Sequence, residues 1–271
     1  MYTTTIYHIF ITIFLGIIGG ILEFFPISST SHIIIFSKFF KIEVHEVKML
    51  NSFIQFGTSL SILLYFKNTF IELFYSFFKK NDNYNSRSNL SYLHVVISTI
   101  PIVLIELFLH KHIQQLFNLK NIFFPLIFGS TLLILSEIFK KNTKNKNKNI
   151  SLLQSCVIGC FQCLALWPGV SRSCSTISIG ILIGLSQLQA TYFSFIISVP
   201  ISFGAIILDL YNNLQIITLH NITFFLIGWL SSFITSAIFI KKCLKKISVC
   251  SFIPFIIYRI SLSCIITFLN F

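Results

Sequence analysis

Glu23-Phe24-Phe25-Pro26-Ile27-Ser28-Ser29-Thr30-Ser31-His32 is the stretch that decides the fold. It follows an apolar run, Ile9 to Ile18 with Gly19 and Gly20 behind it, and precedes another, Ile33 to Phe36. One carboxylate, four hydroxyls and an imidazole therefore share ten residues at the depth of a membrane. Hydrocarbon penalises each unpaired polar group, so such a cluster has to line a cavity or face protein. Pro26 has no N–H and disfavours helix at Phe25, which predicts a break in the chain here.

Composition places the stretch in a membrane protein. The 271 residues are 55% hydrophobic and 10% charged, with mean hydropathy +0.84. A soluble domain carries about 25% charged residues. The net charge of +12 lies mostly on lysines between apolar runs, which is an orientation signal rather than a nucleic-acid footprint. No basic face with interleaved aromatics is present, so nucleic acid is not expected as a partner. The 32 phenylalanines, with many Ile, Asn and Lys, point to a biased source genome rather than to function. Cys156, Cys160 and Cys163 share one helix face, and small-residue packing accounts for them better than a metal does. The first run lacks a basic start and a small-residue cleavage pattern, so no removable signal peptide is expected.

About 20 apolar residues are needed to cross about 30 Å of hydrocarbon. Spans are expected at 51–66, 93–109, 122–139, 190–210, 222–240 and 249–270. Two longer segments, 7–40 and 151–188, are interrupted by Pro and a polar cluster. Lys79, Lys80 and Arg87, then Lys140 to Lys148, then Lys241 to Lys246 put 67–91, 140–150 and 241–248 in the cytoplasm. The poorer loops 110–121 and 211–221 fall outside. Parity then requires 151–188 to begin and end inside, so it is a hairpin or two crossings. If 7–40 is a hairpin as well, the chain divides into two inverted halves, approximately 7–139 and 151–270. The expected fold is an all-α polytopic membrane protein, one domain over 1–271. Each repeat is a re-entrant helix hairpin plus about three transmembrane helices, with the site where the broken segments meet.

The second broken segment reads Leu166-Trp167-Pro168-Gly169-Val170-Ser171-Arg172-Ser173-Cys174-Ser175-Thr176. Like the first, it runs from an aromatic through Pro to a hydroxyl cluster. Arg172 is a costly charge at this depth and marks a site. Its donor fork suits phosphate, with Ser171, Ser173 and the start of a helix near 173–176 adding donors. The competing reading pairs Arg172 with Glu23 across the two hairpins. Ser29 and His32 are alternative nucleophiles, His32 also serving as a base for Ser29. Glu23, the sole acid of the first hairpin, is read as base, cation ligand or partner of Arg172. Glu106 and Asp209 lie near span ends, where they reach the interface, and Glu137 snorkels beside Lys140.

At these residues the chain resembles the undecaprenyl-diphosphate phosphatases, also called bacitracin-resistance proteins. The likeness runs from Leu22-Glu23-Phe24 through His32 to Ile54-Gln55-Phe56-Gly57 and Gly159 to Ser173. It continues through Phe193-Ser194-Phe195, Val199-Pro200, Leu208-Asp209-Leu210-Tyr211 and Ser251 to Arg259. The resemblance implies a bacterial inner-membrane enzyme with a site open to the periplasm. It would release the terminal phosphate of undecaprenyl diphosphate for carrier-lipid recycling in peptidoglycan synthesis, conferring bacitracin resistance. It also implies a divalent cation, Mg²⁺ or Ca²⁺, with Glu23 as metal ligand or acid–base group. Ser29 and His32 take the nucleophile and proton-transfer roles. Ser28, Thr30, Ser171, Arg172 and Ser173 take the phosphate. A homodimer is left open. The chain departs from the family's usual residues at Gly19 (Glu), Ser31 and Cys174 (Gly), Gln187 (Arg) and Tyr192 (Glu). The change at Gly19 removes an acid from the first motif, so a weakened enzyme is an alternative expectation. So is a carrier for an isoprenoid phosphate, because inverted repeats with broken helices also suit transport. A second lipid-phosphatase class, with a K-x₆-R-P motif, is set aside because the motif is absent after Arg172.

Overall fold

In a computed structural model, residues 2–78, 90–140, 149–213 and 219–268 are described. Among them the chain is all helix: α1 (Tyr2–Leu22), α2 (Ser29–Phe39), α3 (Val44–Tyr65), α4 (Lys67–Phe78), α5 (Tyr92–Gln115), α6 (Phe123–Ile138), α7 (Leu152–Gln162), α8 (Arg172–Leu182), α9 (Gln187–Asn212), α10 (Leu219–Ile247) and α11 (Ile253–Phe268). Short 3₁₀ turns lie at Leu119–Asn121 and Cys163–Leu166. This is a polytopic membrane protein, as composition requires.

Both expected breaks are present. After α1 the chain turns through Glu23 to Ser28, where Pro26 stands, and restarts as α2. After α7 it turns through Trp167 to Ser171, past Pro168, and restarts as α8. Helices α2, α7 and α8 have 11 residues each. At 1.5 Å per residue each covers about 16 Å, roughly half the hydrocarbon thickness. The turns therefore lie deep between the longer helices.

The walls are packed as membrane helices are, through small residues. Helix α10 lies against α1 and α3. A side chain on Gly16 or Gly20 of α1, or on Gly57 of α3, would collide with α10 at Gly228, Trp229, Ser231 or Ser232. Ser232 Oγ donates to Ile54 O at 3.0 Å and Ser236 Oγ to Gly20 O at 2.9 Å. Helix α9 lies against α3, α5 and α8, and α6 lies against α11.

Several boundaries differ from expectation. Helices α5, α9 and α10 are long and apolar enough to cross alone, whereas α6 and α11 have 16 residues each, about 24 Å. The stretch 67–91 was read as a cytoplasmic loop, but α4 occupies its first part, bent 81° from α3. Lys67, Asn68 and Glu72 end the apolar run, yet Phe70 and Leu73 still form an apolar face that packs on the core. The lysine cluster 241–246 is not a loop; it is the end of α10, where its charges suit the C-terminal dipole. Helix α5 runs on to Gln115, so His110 is buried rather than in an outer loop. Lys79, Lys80 and Arg87 lie outside the described residues, as do Lys141, Lys144, Lys146 and Lys148. Glu137 does not snorkel: it accepts from Ser251 Oγ at 2.7 Å and Phe252 N at 3.1 Å, ahead of α11. The seven cysteines are free thiols.

Candidate active site

The two turns meet. Ser29 Oγ donates to Glu23 Oε2, and Arg172 Nη2 donates to Glu23 Oε1 at 2.9 Å. From behind, α9 holds the guanidinium: Arg172 Nη1 donates to Ser202 Oγ at 2.9 Å and Ser198 O at 3.2 Å. Ser173 Oγ crosses to Phe25 O at 3.1 Å, and Ser171 and Ser173 hydroxyls lie 3.1 Å apart. The Glu23–Arg172 pairing that competed with phosphate binding is thus the arrangement found.

Ser29 opens α2 and Arg172 opens α8. Helix geometry leaves the first N–H groups of each without intrahelical partners, and each dipole presents its positive end. Ser28 and Ser171 cap the two helices, accepting from Ser31 N and Cys174 N at 3.3 Å each. Both caps have positive φ, 68° and 75°. That backbone costs a non-glycine residue about 1–3 kcal/mol and is found where a site requires it. It turns each chain so that residues 28–30 and 171–173 face one cavity of about 120 Å³. Several waters or a phosphoryl group fit there, at roughly 10–15 Å³ per water.

His32 is placed elsewhere. Its side chain is 4% exposed and is not among the cavity's lining residues. Nδ1 lies 2.7 Å from Ser28 O and Nε2 lies 2.6 Å from the Tyr258 hydroxyl, with the rings stacked. A carbonyl only accepts, so Nδ1 carries the proton and Nε2 accepts from Tyr258. Neither nitrogen is open to Ser29. Glu23, Ser28, Ser29, Thr30, Ser171, Arg172 and Ser173 are brought together at the cavity, and His32 stands one turn behind.

The sequence reading did not assign six polar residues of the cavity wall to the site. Lys48, Asn51 and Ser52 of α3, Glu106 and His110 of α5, and Asp209 of α9 all line it. Asp209 does not reach an interface; it is 3% exposed, with Lys48 Nζ at 3.1 Å and Ser52 Oγ donating to it. Glu106 likewise faces the cavity. The spacing Lys48, Asn51/Ser52, Gln55 was the available signal, since positions three to four apart share a helix face. Gln55 Nε2 donates to Thr30 Oγ1 at 3.3 Å, joining that stripe to the first turn.

The profile of the bacitracin resistance protein BacA family matches residues 12–265. The chain belongs to this family. It is 50% identical over 265 residues to an undecaprenyl-diphosphatase of Buchnera aphidicola subsp. Baizongia pistaciae, covering 96% of each chain. It is 42% identical to the protein of that name from Buchnera aphidicola subsp. Acyrthosiphon pisum (strain Tuc7), over 98% of this chain and 99% of the other. The Baumannia cicadellinicola undecaprenyl-diphosphatase is 39% identical over 94% of each.

In this member of the bacitracin resistance protein family, none of the five departures from the usual residues lines the cavity. Gln187 Nε2 donates to Ile247 O and Cys250 O, fastening the end of α10. The Tyr192 hydroxyl meets Thr69 Oγ1 at 2.8 Å and fastens α4. Ser31 lies under Ser28, and Cys174 Sγ donates to Gly129 O at 3.1 Å. A Cβ on Gly19 would overlap Ile54 Cγ2, so the space beside position 19 is filled.

Arg259 of α11 holds the two turns in register. It is 0% exposed. Nη1 donates to Pro26 O of the first turn at 3.1 Å, and Nη2 to Gly169 O of the second at 2.9 Å. It also reaches Pro125 O, Leu126 O and Ser130 Oγ of α6. Gly129 has no side chain where one would strike Arg259 Nη2.

Proposed function

We propose that this chain hydrolyses undecaprenyl diphosphate to undecaprenyl phosphate and inorganic phosphate. The observation that carries the reading is the Ser29–Glu23–Arg172 chain of contacts, assembled across two helix N-termini in one cavity. Membership of the family and the name undecaprenyl-diphosphatase borne by its relatives support it.

The terminal phosphoryl group enters between the turns and takes Arg172 from Glu23. Exchange of partners frees Glu23 to receive the Ser29 proton. Ser29 Oγ bonds to the terminal phosphorus, the bridging P–O bond breaks, and undecaprenyl phosphate leaves with those electrons. Water then attacks the phosphoserine, Ser29 recovers a proton, and inorganic phosphate is freed. Arg172, the Ser28, Thr30, Ser171 and Ser173 groups and the two dipoles stabilise charge on the transferred group. His32 acts through Ser28, whose carbonyl it holds, and is a positioning residue.

A divalent cation, Mg²⁺ or Ca²⁺, is the cofactor that the family resemblance implies. Such ions take about six or more oxygen ligands. The residues present do not fit one: Glu23 is the sole acid of the first turn, position 19 offers no side chain, and its space holds Ile54. Among the described residues no group of three His, Cys, Asp or Glu side chains forms a site. No step above runs through a cation.

The positions of the lysines support an orientation with the ends of α3, α4 and α10 in the cytoplasm and the cavity open towards the periplasmic side of the inner membrane. The two halves, approximately 7–139 and 151–270, are read as inverted repeats; the shared Pro turn and positive-φ serine cap support this. The reaction returns carrier lipid to cell-wall synthesis and underlies bacitracin resistance. The test is phosphate release from undecaprenyl diphosphate by purified protein in detergent. Release abolished in Ser29→Ala and Arg172→Ala is the expected result; no release from folded wild-type protein overturns the reading.

A further inference from the structure

The contact pattern around Glu23 occurs twice in this cavity. Ser29 and Arg172 both bind the Glu23 carboxylate; Ser52 and Lys48 both bind Asp209, the latter at 3.1 Å. Lys48 and Arg172 are the lysine and arginine side chains among the described lining residues, and each is held by one carboxylate. The second group sits one helical stripe away: from Gln55, bonded to Thr30, to Lys48 is seven residues, about 10 Å along α3. It is built from the N-terminal part of α3 and the C-terminal part of α9, the ends assigned to the outer face.

A tie between α3 and α9 would account for an ion pair here, but it would leave no loose ends. Buried ion pairs barely recover their desolvation cost unless every remaining polar atom is satisfied. This one is not satisfied. Lys48 Nζ and Asp209 Oδ1 lack further hydrogen-bond partners. Asn51, 4% exposed and facing the cavity, has its amide oxygen unpartnered. The α3–α9 seam is already closed by Phe56 packing edge-on to Phe203 at 4.8 Å. Unused ammonium donors, an amide whose unbonded oxygen leaves it able to turn its NH₂ to the cavity, and a hydroxyl that Asp209 can release are what a tetrahedral oxyanion needs.

We propose that Lys48, Asn51 and Ser52 form a second phosphoryl-anion station in the cavity, covered by Asp209 until an anion displaces it. The inference rests on the phosphatase reading and extends it: the station receives either inorganic phosphate leaving outward or the lipid-borne phosphate of the substrate. Asp209 keeps the nearby His110, at 4.0 Å, when Lys48 and the Ser52 hydroxyl turn to the anion.

Equilibrium dialysis of radiolabelled inorganic phosphate against the full-length protein in detergent tests it, in an Arg172→Ala background that disables the first site. Residual phosphate binding is expected there, tightened at least tenfold by Asp209→Asn and lost on further Lys48→Gln. Lys48→Arg should retain it, which separates charge from folding. Residual binding that ignores Lys48 and Asp209, or no residual binding even with Asp209→Asn, overturns the station. Binding needs no turnover, so this outcome is separate from a wild type that releases no phosphate from the lipid. The two sources are told apart in the otherwise native enzyme. Lys48→Gln weakens product inhibition by phosphate at least tenfold with KM unchanged if the station holds the free product. It raises KM at least tenfold if it holds the lipid phosphate. A change in neither counts against the station.

Discussion

Glu23→Gln separates the two tasks assigned to the Glu23 carboxylate, restraining Arg172 and receiving the Ser29 proton. The Arg172–Glu23 contact is 2.9 Å long and mostly buried, with side-chain exposures of 14% and 7%. At an effective dielectric of about 20 the gross attraction is roughly 6 kcal/mol. Phosphate has to displace that contact in the native chain. If only a quarter of it persists as net competition, its removal is worth about 1.4 kcal/mol, a tenfold gain in phosphate affinity. The guanidinium stays in place in the variant, because Ser198 O and Ser202 Oγ still hold Nη1. A glutamine can accept the Ser29 hydrogen bond but not its proton, so kcat should fall by about 10²–10⁴. The assays are phosphate release from undecaprenyl diphosphate for kcat and equilibrium dialysis for phosphate affinity. An unpaired buried cation costs about 3–5 kcal/mol, so melting should drop, and added phosphate should restore it more than it raises the wild type. A variant with kcat within threefold of wild type, or with weaker phosphate binding, refutes the partner exchange.

Arg259→Met keeps the bulk of the side chain but orphans Pro26 O and Gly169 O; at about 1–3 kcal/mol each, thermal unfolding in detergent should show a loss of roughly 2–6 kcal/mol with activity lost alongside. Gly19→Glu should lower the melting midpoint rather than raise activity, because the new side chain enters space held by Ile54, at an overpacking cost of about 1–3 kcal/mol; Ile54→Ala in the same chain should relieve it. Phosphate release should survive excess EDTA, since position 19 offers no second carboxylate beside Glu23 and Ile54 fills its space. Complete loss that Mg²⁺ or Ca²⁺ restores would mean that substrate phosphates complete a cation site at Glu23.

What could be read without coordinates was whatever is encoded locally. Pro26 and Pro168 remove donors at fixed positions, so both breaks followed from chemistry within a few residues. A charge among hydroxyls at membrane depth made Arg172 and Glu23 conspicuous for the same reason. His32 was less tractable: its neighbours suggested a role at the cavity, but its rotamer is set by Ser28 O and by Tyr258, which lies in the last helix. Lys48 and Asp209 each read as a flank of an apolar run, and only the meeting of α3 with α9 buries them together. Helix α4 was hidden because Lys67, Asn68 and Glu72 lower its mean hydropathy without disturbing its apolar face. Arg259 stood inside an expected span, but its role was not legible, as its acceptors come from three separate parts of the chain.

The acceptors of Arg259 are almost all peptide carbonyls, at Pro26, Pro125, Leu126 and Gly169. A carbonyl oxygen belongs to every amino acid, so no missense change at those four positions can delete it. In a chain so rich in Phe, Ile, Asn and Lys, the alignment of the two turns thereby does not depend on which side chains stand at those four positions. Its fragility is concentrated in a single codon, that of the arginine, and in the missing side chain of Gly129 that gives the guanidinium room.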